Sequence, residues 1–220
     1  MDLTAAIDGY CERLDASFWA EPINALTNAA FLLAALVMAW RLRGTNLPLA
    51  HALTGLLAMI GLGSFLFHTV AQGWAALADV LPILMFILVY LFAASRDFLG
   101  LAPRFAALCV LAFFPFAFVS AGLLRNLPLL GVSAGYLPVV LLIAGYAVLL
   151  RRQAPVTARN LGIGAGLLLL SVTLRSLDMP LCAALPVGTH FGWHLLNGLM
   201  LGWMIETYRR HMLAPHPAQG

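Results

Sequence analysis

Apolar residues run along this chain in long blocks, with polar residues gathered between them. Seven blocks approach the roughly 20 residues that cross a bilayer as a helix. They are Ile23–Trp40, Leu47–Val70, Leu77–Ala94, Phe105–Leu123, Gly131–Leu150, Leu161–Leu177 and Val187–Tyr208. Helices apolar all round belong in a buried core or in lipid. The expected fold class is therefore an all-α membrane protein, a seven-transmembrane-helix bundle. The expected organisation is an acidic N-terminal segment (1–22), the bundle (23–208) and a cytoplasmic tail (209–220).

Composition sharpens this picture. Hydrophobic residues make up 62% of the chain and charged residues 10%, against roughly 25% charged in soluble domains. A soluble globular domain is excluded. No nucleotide-binding loop, CxxC pair or nucleic-acid patch is visible, so no nucleic-acid partner is expected. No cleavable leader is expected either, because the first apolar block follows a polar segment.

The basic residues, all Arg, fall unevenly on alternate sides of the blocks. Arg41, Arg43, Arg96, Arg104, Arg151, Arg152, Arg159, Arg209 and Arg210 share one side; Arg13, Arg125 and Arg175 share the other. Under the positive-inside rule the N-terminus is outside and the C-terminus cytoplasmic.

Against that map a few polar residues converge. Ser64 and His68 are four apart, on one face of the second block, and His190 and His194 repeat that spacing in the last. Asp79 opens the third block. All five fall in the non-cytoplasmic half, and ionisable groups in lipid mark functional sites. Three neutral imidazoles with a position left open suit catalytic Zn²⁺. Asp79 is then the general base and Ser64 an oxyanion donor, a set suited to hydrolysis of an acyl bond. Bis-histidine haem is the chemical rival, though it needs neither Asp79 nor Ser64. His51, His211 and His216 fall outside the cluster.

The N-terminal segment carries Asp8, Glu12, Asp15 and Glu21 beside Tyr10 and Trp19. Two readings stand: an interfacial lead-in anchored by aromatics, or a Ca²⁺ site, since Ca²⁺ takes six to eight oxygens. Asn24 and Asn28 are expected to face the bundle and hydrogen-bond across it. Gly61 and Gly63 are expected to admit a close neighbour beside Ser64, and Gly131, Gly135, Gly145, Gly162, Gly164 and Gly166 to form packing surfaces. Cys109 reads as a packed thiol. Cys11 and Cys182 share the outer side, where they can pair or stand as two free thiols.

The pieces Cys11-Glu12, Ala20-Glu21-Pro-Ile-Asn24, Gly63-Ser64-x-x-x-His68, Asp79 and His190-x-x-x-His194 together resemble the alkaline ceramidase family, within the seven-helix hydrolase group that includes the adiponectin receptors. The resemblance is to a bacterial member. It implies zinc on His68, His190 and His194, with Asp79 and Ser64 catalytic. It also implies a calcium site in the acidic segment, matched here by Glu12 and Glu21, with Gly9 and Leu14 departing from the pattern and Asp8 or Asp15 as substitutes. It implies a Cys11–Cys182 disulfide. The expected function is hydrolysis of ceramide or a related N-acyl lipid, in a bacterial inner membrane with the site on the periplasmic side. The runner-up is a seven-helix receptor or sensor with a structural zinc and no turnover.

Overall fold

The structure, a computed structural model, describes residues 2–214. Those residues form helices α1 (Pro22–Thr27), α2 (Ala29–Arg41), α3 (Pro48–Val70), α4 (Gly73–Ala93), α5 (Pro103–Leu124), α6 (Leu137–Leu150), α7 (Pro155–Leu181) and α8 (His190–Leu213). A π-helical turn, Ala94–Phe98, prolongs α4, and a 3₁₀ turn, Leu130–Ser133, precedes α6. Proline stands in the first turn of α1, α3, α5, α6 and α7. There its missing N–H costs nothing and its fixed φ favours the helix. Those prolines set where the helices begin.

Five helical stretches are long and apolar enough to cross a membrane: Pro22–Arg41, Pro48–Val70, Gly73–Phe98, Pro103–Leu124 and Pro155–Leu181. This is a multi-pass, all-helical chain, but two of the seven expected spans fall short of that measure. Helix α6 has only 14 residues, because the block Gly131–Leu150 starts as a turn. A Cβ on Gly131 would lie 2.1 Å from the Arg125 carbonyl oxygen, so this glycine closes a loop and is not a helix-packing surface. Helix α8 is long, but His190, His194, Glu206, Arg209 and Arg210 dilute its apolar character.

Three other boundaries move. Helix α7 begins at Pro155, ahead of Arg159 and Asn160, and runs through Asp178 to Leu181. Arg175 lies within the helix, as the block Leu161–Leu177 already placed it. Helix α4 begins four residues before Leu77. Helix α8 continues to Leu213, into the expected tail, of which residues 215–220, with His216, lie outside the described residues.

Helices α3, α4, α7, α8 and α2 form the packed body, and α6 leans on α7. Helix α5 buries only Ala106 and Phe113, leaving a broad apolar surface of the kind that faces lipid. At the end of the bundle away from the N-terminal segment, Glu206 pairs with Arg41 (2.8 Å), Arg209 (2.8 Å) and Arg210 (2.6 Å).

The N-terminal segment is folded onto the opposite end. The Ile7 N–H donates to the Ala71 carbonyl (2.7 Å) and the Trp74 N–H to the Leu3 carbonyl (2.9 Å). Cys11 and Cys182 form a disulfide across 171 residues of chain. The segment is thus tied to the α3–α4 connection and to the end of α7.

Candidate metal centre

His68 lies in the last turn of α3, while His190 and His194 occupy the first two turns of α8. Packing of α3 against α8 brings one potential ligand atom of each ring within 4.8 Å of the others. All three rings are buried, at 2% exposure or less.

In His68 and His194 a hydrogen bond on Nδ1 leaves Nε2 for a ligand. The His68 Nδ1–H donates to Glu21 Oε2 (2.6 Å), leaving Nε2 as a lone-pair donor. The Thr27 hydroxyl donates to backbone carbonyls of Ile23 (2.8 Å) and Asn24 (3.0 Å), so its oxygen accepts the His194 Nδ1–H at 2.9 Å. His194 Nε2 is then buried without a hydrogen-bond partner, and so is His190 Nδ1. Buried polar atoms are costly when left unpaired. A buried cluster of three imidazoles with orphaned nitrogens can hold a metal ion.

Ser64 and Asp79 are brought to the same place. Ser64 lies one turn before His68 and is 3% exposed. Gly63 lets α4 approach α3 at this level, and Asp79 lies within interaction range of Ser64, His68 and Arg175. The five residues singled out from the sequence thus lie close together. Trp193 sits between the α8 histidines and an apolar cavity of about 80 Å³. That cavity runs along α8 past Asn197 and Met200 to Met204, walled by α4 and α6. Phe31, in its wall, packs edge-on against the His194 ring.

The acidic residues are placed differently from one another. Both Glu12 oxygens accept backbone N–H groups of Ile23 (2.7 Å) and Asn24 (2.8 Å), which caps the start of α1. Glu21 is 2% exposed and bonded to Arg13, His68 and Asn24. Asp15 is exposed and accepts the Ser17 N–H (2.7 Å), and Asp8 is exposed. Among the described residues, the histidine trio is the one group of three or more such side chains with converging ligand atoms.

Burial raises the Glu21 carboxyl, but hydrogen bonds from His68, Arg13 and Asn24 outweigh it and hold the group below the usual carboxylate value. Burial pushes the Tyr10 phenol up to about 12, so it stays neutral.

Other expectations resolve locally. Asn24 and Asn28 are buried as expected, but their amides bond within their own segment, to Glu21 (3.1 Å) and the Asn24 carbonyl (2.8 Å), not across the bundle. Gly61 packs on Phe31 and Leu32 as expected, and Gly164 on Met204. Gly135 sits in a turn, and a Cβ added at Gly145, Gly162 or Gly166 would meet no other part of the protein within 4 Å, so none is a close packing contact. Cys109 is a partly buried free thiol. His51 lies near Thr45, and His211 bonds Thr157 at 2.9 Å, both away from the cluster.

Three residues that the sequence did not assign to the site belong beside it. The Tyr10 ring stacks on His190 with centroids 3.7 Å apart. The Arg175 guanidinium lies over the rings of Tyr10 (5.9 Å), Tyr136 (5.3 Å) and Trp193 (5.9 Å). Asp178 accepts the backbone N–H groups of Cys11 (2.9 Å), Thr189 (2.7 Å) and His190 (2.9 Å). The available signal was a carboxylate at membrane depth, and drawing the sixth block only to Leu177 hid it by one residue.

No curated protein matches this sequence. A family model described as Ceramidase matches residues 3–214, nearly the whole chain and every residue of the site. The chain belongs to the ceramidase family.

Proposed function

We propose that this protein is a zinc-dependent amide hydrolase working within a membrane. It cleaves ceramide or a related N-acyl lipid to a fatty acid and a sphingoid base or amine. The observation that carries the reading is the joining of three elements in one place. A buried three-histidine cluster lies beside Asp79 and Ser64, and Trp193, between two of those histidines in sequence, lines an apolar cavity.

His68, His190 and His194 hold the zinc, which when bound supplies Lewis acidity for activating water and polarising an acyl carbonyl. The chain's own residues supply the rest. Asp79 takes a proton from the attacking water as the new C–O bond forms, then delivers it to the amide nitrogen as the C–N bond breaks. Ser64 donates a hydrogen bond to the oxygen that gains charge on the acyl carbon. The cavity takes an acyl chain, and Trp193 and Phe31 hold it beside the histidines. Burial under Tyr10 and the N-terminal segment limits bulk water.

In this proposal all seven helical rods span the bilayer, with residues 23–208 as the hydrolase domain. The N-terminus and the site face the periplasm of a bacterial inner membrane. The Arg distribution supports that orientation, and the shared depth of the site residues supports a single site. The test is incubation of zinc-loaded protein with a panel of N-acyl lipids, with fatty acid and amine release measured. Stoichiometric release of both products is expected. Zinc-loaded protein that releases neither leaves the receptor reading.

A further inference from the structure

Arg13 is buried inside an otherwise acidic segment. Its side chain is 4% exposed. Its Nε donates to Glu21 Oε1 (2.6 Å), Nη1 to the Asp15 carbonyl (3.1 Å) and Nη2 to the His68 carbonyl (3.1 Å). One carboxylate oxygen and two backbone carbonyls therefore converge on a single cation from three parts of the chain. Oxygens of these types are what a hard divalent cation gathers around itself. The other Glu21 oxygen receives the His68 Nδ1–H and the Asn24 amide. One carboxylate thus links Arg13 to the imidazole of His68.

We infer that Arg13 is a built-in cation, standing where a divalent ion would otherwise be needed, and that it positions His68 through Glu21. The planar guanidinium suits this place because its fixed fork reaches several acceptors at once, which the point charge of Lys does not. It also cannot dissociate as an ion can. The first consequence is that the fold and the histidine cluster are independent of calcium. The second is that metal affinity depends on Arg13, although it touches none of the ligating nitrogens. This second consequence rests on His68 being a ligand, as proposed above; the first does not.

The test uses full-length detergent-solubilised protein, with zinc titrated against a competing chelator and thermal unfolding followed in parallel. Wild type is expected to show the same zinc affinity and melting temperature in chelator as in millimolar calcium. Arg13→Ala is expected to bind zinc 10- to 100-fold more weakly, the scale for losing support behind a ligating His. Low-millimolar guanidinium is expected to restore part of that loss, which a merely structural defect does not allow. Arg13→Lys, which keeps the charge and loses the fork, is expected to fall between the two and covers the case in which Arg13→Ala fails to fold.

Calcium stabilisation of the wild type overturns the fixed-cation role. Wild-type zinc affinity in Arg13→Lys, or in folded Arg13→Ala, overturns the positioning role. Undiminished zinc binding by His68→Ala strikes the metal-site reading instead. The calcium result then still decides the fixed-cation role.

Discussion

Gly63 packs directly against the backbone of Ala78: a Cβ there would stand 2.0 Å from the Ala78 carbonyl oxygen. Helices α3 and α4 thus touch backbone to backbone one residue from Ser64 on one helix and one residue from Asp79 on the other. Gly63→Ala must push the helices apart or bend them. Overpacking of this kind costs about 1–3 kcal/mol. The expected outcome is a lower melting temperature and a fall in lipid hydrolysis larger than the fall in zinc content, because the histidines lie on α3 and α8. Equal kinetics in Gly63→Ala and wild type would mean that the helix contact does not set the Ser64–Asp79 geometry.

Metal binding and turnover should separate by residue. His68→Ala, His190→Ala and His194→Ala each remove a nitrogen donor, so zinc and activity are expected to disappear together. Asp79→Asn keeps the shape but cannot take a proton, so zinc stays and hydrolysis is lost. Ser64→Ala is expected to keep zinc and slow hydrolysis by roughly 10²–10³-fold, the scale for one oxyanion donor. Metal analysis beside product release on the same preparations checks all five. Full turnover in Asp79→Asn would remove it from the proton-transfer role.

Much of this was legible in the sequence, and the reasons differ by residue. The pairs Ser64/His68 and His190/His194 are visible because four-residue spacing reports a shared helical face. Asp79 stands out because a carboxylate in an apolar block is costly. Hydropathy could not place the start of α6, because Gly131 and Val132 are as apolar in a turn as in a helix. Nor could spacing show that Arg13 reaches His68 across 55 residues or that Asp178 reaches Cys11 across 167. Those contacts exist only once the N-terminal segment folds back over the bundle. The family resemblance pointed to Cys11–Cys182, but from position alone it remained one of two readings.

The disulfide closes a separation of 171 residues. Disulfides typically stabilise by about 2–4 kcal/mol, and the chain-entropy relation puts a loop this long near the top of the range, at about 5 kcal/mol before any native strain. Cys11→Ser is expected to lower the melting temperature in non-reducing buffer, and reductant is expected to bring wild type down to the same value. An identical melting temperature in all three states would show that the bridge contributes nothing beyond the hydrogen bonds around it.

The last prediction concerns the carboxylate that joins the N-terminal segment to α8. Asp178 Oδ2 accepts the Cys11 N–H (2.9 Å), and Oδ1 accepts those of Thr189 (2.7 Å) and His190 (2.9 Å). A negative charge at the start of a helix satisfies orphan N–H groups and complements the helix dipole. Space around it is tight: Gly188 has φ +65°, and a Cβ there would lie 2.1 Å from Asp178 Oδ1 and 2.9 Å from Cys11 Cβ. Asp178→Ala leaves three backbone donors without their acceptor, at about 1–3 kcal/mol for each that stays buried. Because His190 is the first residue of α8, fraying there moves a metal ligand. Asp178→Ala is therefore expected to lose stability and zinc affinity together, even with the disulfide intact, whereas Asp79→Asn leaves zinc in place. Gly188→Ala is expected to reproduce the same paired loss by displacing the carboxylate. Thermal unfolding and zinc titration of the oxidised proteins check both. If Asp178→Ala unfolds earlier yet binds zinc as wild type does, the carboxylate only staples the segment and does not hold His190.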